Sequence, residues 1–310
     1  MGKTRTKSRK KGIISQYIKC KYLFLLMLPG LIYFIIFKYV PMYGVVIAFQ
    51  DYYPRMGVTG SEWVGFKHFE TLFKGRYFLP VLRNTLIISL GKLLIGFPMP
   101  IILCLMLNEV RCAAFKKTVQ TITYLPHFIS WVVLASIVQS VLSPSTGVVN
   151  YVIQALGGDP IFFMGSKEWF RKIIVLSTVW RDTGWQTVVF MAAILSIDPQ
   201  LYEAAELDGA GRFKKMIYVT IPSIAPTIII MFIMATGKIL ADDFDQIYNM
   251  LNAKVMDVGD VIGTYTYRVG IQQMNFSYAT AVGLFKNVVA LIMVTMTNKL
   301  SRWLSGSSLW

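Results

Sequence analysis

Long apolar stretches separated by shorter polar segments dominate the chain. A helix needs about 20 mainly apolar residues to cross the hydrocarbon core of a bilayer, and six stretches meet or approach that length. They lie at residues 22–49, 82–107, 118–142, 172–195, 222–241 and 277–297. This pattern predicts an all-α membrane protein with six transmembrane helices. The first stretch fits either one long tilted helix or a helix with an outer extension beyond Lys38.

The composition supports a membrane-embedded chain. Of the 310 residues, 55% are hydrophobic and 15% are charged, whereas soluble domains carry about 25% charged residues. The formal net charge of +15 is compatible with nucleic-acid binding, but the basic residues cluster beside the apolar stretches and no nucleic-acid-binding motif accompanies them. We therefore expect a multi-pass protein of the cell membrane that contacts lipid and no nucleic acid.

Basic residues also predict the orientation of the chain. Sixteen lysines and arginines fall in the two terminal tails and in residues 108–117 and 212–215, against ten in the longer loops on the opposite side. Because basic loops stay in the cytoplasm, both termini are predicted to be cytoplasmic. The expected organisation is a basic cytoplasmic tail at 1–21, a transmembrane domain at 22–300 and a cytoplasmic tail at 301–310.

The segment at residues 196–222, between the fourth and fifth apolar stretches, is polar and well punctuated. Ser196 and Asp198 are both candidate N-caps, Pro199 suits a first helical turn, and two glycines, Gly209 and Gly211, then interrupt the run. The pattern predicts two short helices joined by a glycine turn at the cytoplasmic face. The small residues Ala204 and Ala205 would let another protein approach closely, but an interfacial amphipathic helix without a partner fits the same pattern.

The letters EAAELDGAGRFKKMIYVTIP at residues 203–222 resemble the EAA signature of permeases in binding-protein-dependent ABC importers. Four other stretches are similar to polysaccharide and oligosaccharide permeases of that superfamily, namely KYLFLLMLPGLIYFIIFKYVPMYGVVIAFQDY, GFPMPIILCLMLNEVR, TYLPHFISWVV and DDFDQIYNM. The resemblance implies the type I ABC importer permease fold. It also implies ATP-driven import of a sugar derived from an oligosaccharide or polysaccharide.

Partners and coupling residues follow from the same resemblance. It implies a second permease subunit in a heterodimer, two ABC ATPase subunits and an extracytoplasmic solute-binding protein. The coupling segment, residues 196–222, would dock into the ATPase. The residues implied in coupling are Glu203, Ala204, Ala205, Asp208, Gly209, Ala210 and Phe213.

No catalytic centre is predicted in this chain. It lacks the Gly-x-x-x-x-Gly-Lys-Ser/Thr phosphate-binding motif, so ATP and Mg²⁺ are expected to act in the ATPase subunits and no cofactor is expected here. The cysteines Cys20, Cys104 and Cys112 show no zinc-site spacing, and His68 and His127 lie far apart. We therefore predict no metal site.

Charged residues within spans are costly and usually face a bundle interior or an aqueous cavity. Lys92, Arg181, Asp182, Lys238 and Lys286 are such residues, although Arg181 and Asp182 could simply pair. Sugars stack on aromatic rings and bind amide and carboxyl groups through their hydroxyls. The candidate substrate-path residues are Asn84, Gln139, Trp180, Trp185, Gln186, Asp243, Gln246 and Tyr267. The ordinary alternative for both tryptophans is an interfacial belt or core packing.

Two other functions fit parts of the sequence. An ion-coupled secondary transporter would use Asp182 and Lys92 as coupling groups, but it predicts internal repeats and none is obvious. A membrane receptor or scaffold would use the segment at 196–222 for docking, but it leaves the charged residues within the spans unexplained.

Overall fold

The computed structural model describes residues 21–240, 243–306 and 308–309. Apart from Lys21, the predicted N-terminal tail lies outside the described residues, as does Cys20. The described part of the chain is largely helical. In chain order, its α-helices are α1 Lys21–Phe34, α2 Val40–Met42, α3 Gly57–Gly60, α4 Lys67–Lys74, α5 Phe78–Gly96, α6 Pro98–Glu109, α7 Ala113–Tyr124, α8 Trp131–Val141, α9 Val148–Ala155, α10 Lys167–Leu195, α11 Pro199–Leu207, α12 Arg212–Lys215, α13 Ile221–Thr236, α14 Phe244–Met250, α15 Met256–Gly259, α16 Ile262–Tyr267 and α17 Phe276–Ser305.

Shorter elements join these helices. Turns of 3-10 helix occupy Tyr43–Phe49, Leu125–Phe128, Phe163–Gly165 and Ala253–Val255, and π-helical turns occupy Ile35–Tyr39, Met216–Thr220 and Arg268–Gln272. Two short strands, β1 Gln50–Asp51 and β2 Glu62–Trp63, pair antiparallel with Gln50 opposite Trp63. This hairpin follows the first membrane helix and packs beside α4 through the ring of Phe49, which stacks on Trp63 and meets Phe69.

Four helical segments are long and apolar enough to cross a membrane. They are Lys21–Phe49, Phe78–Glu109, Arg212–Thr236 and Phe276–Trp303. Two bent pairs of helices bring the number to as many as six, because Ala113–Phe128 with Trp131–Val141 and Lys167–Leu195 with Pro199–Leu207 also pass the same criteria. The count of six predicted spans therefore agrees with the structure when each bent pair is one span.

The third predicted span, residues 118–142, is not a continuous helix. Its two halves meet at 106°, because the chain is extended at Ile129 and Ser130, where the Ser130 hydroxyl caps α8 by accepting from Val133 N. Pro126 lies in the 3-10 turn just before this break. The apolar pattern predicts the presence of this span but not its bend.

Helix α10 is the central element of the bundle, since it contacts α5, α6, α7 and α13. Two clusters of buried apolar side chains include residues of α10, one near each of its ends, and a third cluster lies beside the helix. One cluster contains Phe163, Phe170 and Ile174, and another contains Cys104, Phe190 and Ile194. A third cluster joins the α4–α5 region to α16 and α17 through Leu72, Phe78 and Tyr265. These three clusters fix the helices around the polar groups described next.

Candidate functional site

A cavity of about 230 Å³ lies within the helical bundle, between α5, α10 and the chain that follows α13. Helix α10 presents one polar stripe to it, because Thr178, Asp182 and Gln186 recur every four residues and so share one helical face. Lys92 of α5 lies opposite, with Lys238 and Asp243 beyond the end of α13. The remaining lining is largely apolar and includes Ile88, Leu93, Phe97, Ala235 and Ile239.

Lys92 is the most strongly bonded charged group of this cavity. Its ammonium donates to Asp243 Oδ2 at 2.7 Å and to Gln246 Oε1 at 2.6 Å. Gln246 is fully buried, and its amide nitrogen donates to Ile174 O at 2.8 Å and to Ser177 Oγ at 2.9 Å. Gln246, a predicted substrate-path residue, does not line this cavity, and its side chain links Lys92 to α10 from behind the cavity wall.

A second polar cluster holds the bend between α7 and α8 against α10. Asp182 Oδ1 lies 3.0 Å from His127 Nδ1 and accepts from Arg181 Nη1 at 3.2 Å. The His127 ring stacks on Trp185, with centroids 4.9 Å apart and planes 1° apart. Arg181 also lies over the Trp131 ring at 4.7 Å. The predicted pairing of Arg181 with Asp182 is thus present. His127 also contacts Asp182, and the sequence did not indicate this contact.

The coupling segment, residues 196–222, folds as the predicted pair of short helices. Asp198 caps α11 by accepting from Gln200 N at 3.0 Å, and Pro199 is the first helical residue. After α11, Gly209 adopts a φ of +74°, which a residue with a side chain rarely tolerates. The Ala210 amide donates to Ala205 O at 2.9 Å and closes the turn.

The outer surface of the coupling segment is unusually apolar for an exposed turn. Leu207 is 90% exposed and Phe213 is 69% exposed. Of the other residues implied in coupling, Glu203, Ala204, Asp208 and Gly209 are exposed, while Ala205 and Ala210 are half-buried within the turn. Leu207 is not among the residues implied in coupling, although its place beside Asp208 at the end of α11 is visible in the sequence.

The coupling segment is also tied to the membrane helix that follows it. Glu206 forms an ion pair with Lys215 across the glycine turn. The Tyr202 hydroxyl lies 2.9 Å from the hydroxyl of Thr220, which is buried at the end of the π-helical turn before α13. These side-chain contacts join α11 to the π-helical turn that leads into α13.

A family model described as "Binding-protein-dependent transport system inner membrane component" matches residues 96–306. The chain belongs to this family. The match extends from the end of α5 to the end of α17, so it includes the coupling segment and the side of the cavity formed by α10 and α13, but not Lys92 of α5. It confirms the family predicted from the EAA signature, and it confirms that the permease is a multi-pass membrane subunit.

Relatives of the permease extend the similarity to nearly the whole chain. The polygalacturonan/rhamnogalacturonan transport system permease protein YteP of Bacillus subtilis (strain 168) is 48% identical over 296 residues, covering 96% of this chain and 92% of YteP. Protein LplB of the same organism is 47% identical, covering 91% of this chain and 89% of LplB.

A solved structure supports the fold directly. One chain in the crystal structure of a bacterial alginate ABC transporter, in complex with alginate pentasaccharide-bound periplasmic protein, superposes with a TM-score of 0.87 at 42% identity. The superposition covers 95% of the permease and 99% of that chain. The predicted type I ABC importer permease fold is thereby confirmed.

The other predicted substrate-path residues are dispersed in the permease. Asn84 is 3% exposed, and its amide donates to Asp257 O and Asp260 O while accepting from Arg171, so it holds α15 and its C-cap residue against α5 instead of lining the cavity. Gln139 is exposed and donates to Asn249 O at 2.9 Å.

The aromatic candidates also lie outside the cavity lining. Trp180 lines an apolar groove between α8 and α10, with Ile137 and Leu176. Trp185 supports the cavity indirectly, by stacking on His127, which contacts Asp182. Tyr267 packs against Phe244 and Tyr248. Of the predicted set, only Gln186 and Asp243 line the cavity itself.

The described residues contain no group of three or more histidine, cysteine or carboxylate side chains arranged to hold a metal ion. Cys104 is buried and Cys112 is exposed.

Proposed function

We propose that the permease imports an oligosaccharide derived from a polysaccharide, as one membrane subunit of an ATP-driven importer. Its partners are a sister permease, two ABC ATPase subunits that bind ATP and Mg²⁺, and an extracytoplasmic solute-binding protein. The relatives support this substrate class, since YteP is named for polygalacturonan and rhamnogalacturonan transport and the solved transporter for alginate. The family match favours an importer over the ion-coupled secondary transporter.

The observation that carries the proposal is the exposure of an apolar side chain, that of Leu207, at the tip of the coupling segment. Burial of a leucine side chain contributes about 1.5–3 kcal/mol relative to leaving it in water. Leu207 gains almost none of this within the chain, because it is 90% exposed. Unlike the apolar side chains of the spans, it lies on a polar turn beside Asp208 and Gly209. A protein partner with an apolar cleft accounts for this arrangement.

The geometry also supports a route for transmission. When the ATPase subunits close on ATP, they move the segment that lies in their cleft, and α11 moves with it. The Tyr202–Thr220 contact carries that displacement to the base of α13. Because Ala235 of α13 lines the cavity, rotation of α13 changes the shape and access of the substrate path. This is a rigid-body switch between two arrangements of packed helices.

The orientation belongs to the same proposal. If the ATPase subunits are cytoplasmic, the coupling segment faces the cytoplasm, and so do both termini. The hairpin β1–β2, α4 and α9 then lie at the opposite surface, where the solute-binding protein delivers the saccharide. The distribution of lysine and arginine residues supports this orientation independently.

Co-purification tests the proposal. Leu207→Ser removes the apolar tip without altering the glycine turn, and we expect the ATPase subunits to be lost from the purified complex while membrane insertion is unchanged. Leu156→Ser is the matched control, because Leu156 is similarly exposed, at 83%, but follows α9 at the opposite surface. Full retention of the ATPase by Leu207→Ser and equal losses in both variants would each contradict the docking role.

A further inference from the structure

The two groups that hold the Lys92 ammonium differ in how firmly they are held themselves. Gln246 is fully buried and is anchored to α10 by the two hydrogen bonds from its amide nitrogen. Asp243 has a side chain that is 43% exposed. Among the residues that the structure describes, the Asp243 carboxylate contacts only the ammonium of Lys92.

The ammonium is therefore fixed by a rigid amide oxygen, while its counter-ion is replaceable. The Lys92 side chain is only 15% exposed, and an unpaired charge at such a position in a membrane protein is costly. A carboxylate on an incoming molecule has the charge and shape of the Asp243 carboxylate and can replace it without moving Lys92 or Gln246. A neutral hydroxyl would exchange an ion pair for a weaker contact.

A second lysine adds positive charge to the same cavity. Lys238 lines it, and within the described ranges no carboxylate lies at ion-pair distance from the Lys238 ammonium. Asp182, the other carboxylate of the lining, is already engaged by Arg181 and His127. Of the charges that the structure describes at this cavity, one cation thus lacks a counter-ion, which favours an anionic occupant.

We propose that Lys92 is a specificity-determining residue that receives a carboxylate of the transported saccharide, and that Asp243 is the counter-ion this carboxylate displaces. The substrate is then an oligosaccharide containing uronate units. This inference rests on the proposed function, namely that the permease carries an oligosaccharide through this cavity. It adds the chemical class of the saccharide and the residue that selects it.

Uptake by the complete transporter tests the inference. The permease, its sister subunit, the ATPase subunits and the solute-binding protein are reconstituted in proteoliposomes. ATP-driven uptake is measured for a galacturonate trisaccharide and for the corresponding neutral galactose trisaccharide, each with saturating binding protein. Relative to wild type, Lys92→Gln is expected to lower uptake of the acidic trisaccharide about tenfold or more, because a charged hydrogen-bond partner is lost, with little change for the neutral one.

Three further variants separate recognition from structural support. Asp243→Asn removes the internal competitor, so the KM for the acidic trisaccharide is expected to fall while the KM for the neutral one stays the same. Lys92→Arg keeps the charge and is expected to retain acidic uptake. Lys172→Gln removes a lysine that pairs with Glu168 away from the cavity, and we expect wild-type uptake of both saccharides.

The outcomes distinguish this inference from the proposed function. Equal losses for both saccharides in Lys92→Gln, or a raised KM for the acidic one in Asp243→Asn, would show that the ion pair is only structural. If the wild-type transporter took up only the neutral trisaccharide, the inference would be wrong, but the proposed function as an ATP-driven importer would still hold. Uptake of neither saccharide on addition of ATP would refute both. If the Lys92→Gln variant does not insert into the membrane, the KM of the Asp243→Asn variant for the acidic trisaccharide tests the inference. A lower KM supports the inference, and an unchanged or higher KM contradicts it.

Discussion

Helices α7 and α10 cross at Gly184, where their backbones make a very close contact beside the cavity. The effect of a larger residue at this position can therefore be predicted. A Cβ atom at Gly184 would lie 2.1 Å from the carbonyl oxygen of Thr123 and 2.4 Å from its carbonyl carbon. Backbone atoms cannot rotate aside as a flexible side chain can. Gly184→Ala therefore forces the two helices apart by about 1 Å, in an interior that is otherwise close-packed.

The cost of this change follows from overpacking. Adding carbon to a filled site typically destabilises a protein by about 1–3 kcal/mol, and we expect the upper part of that range because both neighbours are main chain. The same separation moves the face of α10 that carries Asp182 and Gln186, so the cavity lining is displaced as well. Gly184→Ala is expected to lower both the melting temperature and the uptake rate.

Thermal unfolding of the purified complex in detergent, followed by tryptophan fluorescence, measures the effect. Gly283→Ala in α17 is the matched control, because a Cβ there meets no atom within 4 Å. Its helical backbone should gain about 0.5–1 kcal/mol from the same substitution. If Gly184→Ala melted at the wild-type temperature, the close crossing of α7 and α10 would be refuted.

The polar cluster at the bend and the outer hairpin provide two further predictions. Asp182→Asn leaves the Arg181 guanidinium without its carboxylate, so we expect the free energy of unfolding to fall by about 1–3 kcal/mol, seen as a lower melting temperature; an unchanged value would remove Asp182 from the support of the bend. At the hairpin, the hydrogen bond from Lys67 holds the pKa of Asp51 below its ordinary value of 3.8. The stabilisation from this pair is present above that value and is lost as the pH falls through the folded-state pKa. The difference in melting temperature between wild type and Lys67→Gln should therefore disappear between about pH 5 and about pH 2, and a difference that grew on acidification would contradict this sign.

The coupling segment could be predicted from the sequence because its structure depends on neighbouring residues. Asp198 and Pro199 begin α11 through hydrogen bonds and dihedral angles that are local, and Gly209 ends the turn through its own left-handed conformation. The apolar stretches likewise predict six spans, which agrees with the structure when each bent pair of helices is one span. These features need no information about distant parts of the chain.

The cavity could be predicted only in part, because its polar side chains have partners far away in sequence. Asn84 and Gln246 are both amides near the ends of apolar stretches, and the sequence alone treats them alike. The structure separates them, since Asn84 binds α15 at Asp257 whereas Gln246 anchors Lys92. The bend after His127 was missed for the same reason, because the groups that hold it come from α10.

The central claim is that the coupling segment docks, on the cytoplasmic side of the membrane, onto a separate ATPase whose movement then reaches the helices around the cavity. Cysteine cross-linking at position 207 tests this most directly, using Leu207→Cys in a chain whose Cys20 and Cys112 are replaced by serine. In the assembled transporter, we expect this cysteine to cross-link to an ATPase subunit and to resist a membrane-impermeant maleimide added from outside the cell. Labelling from outside, with no cross-link to the ATPase, would contradict the account.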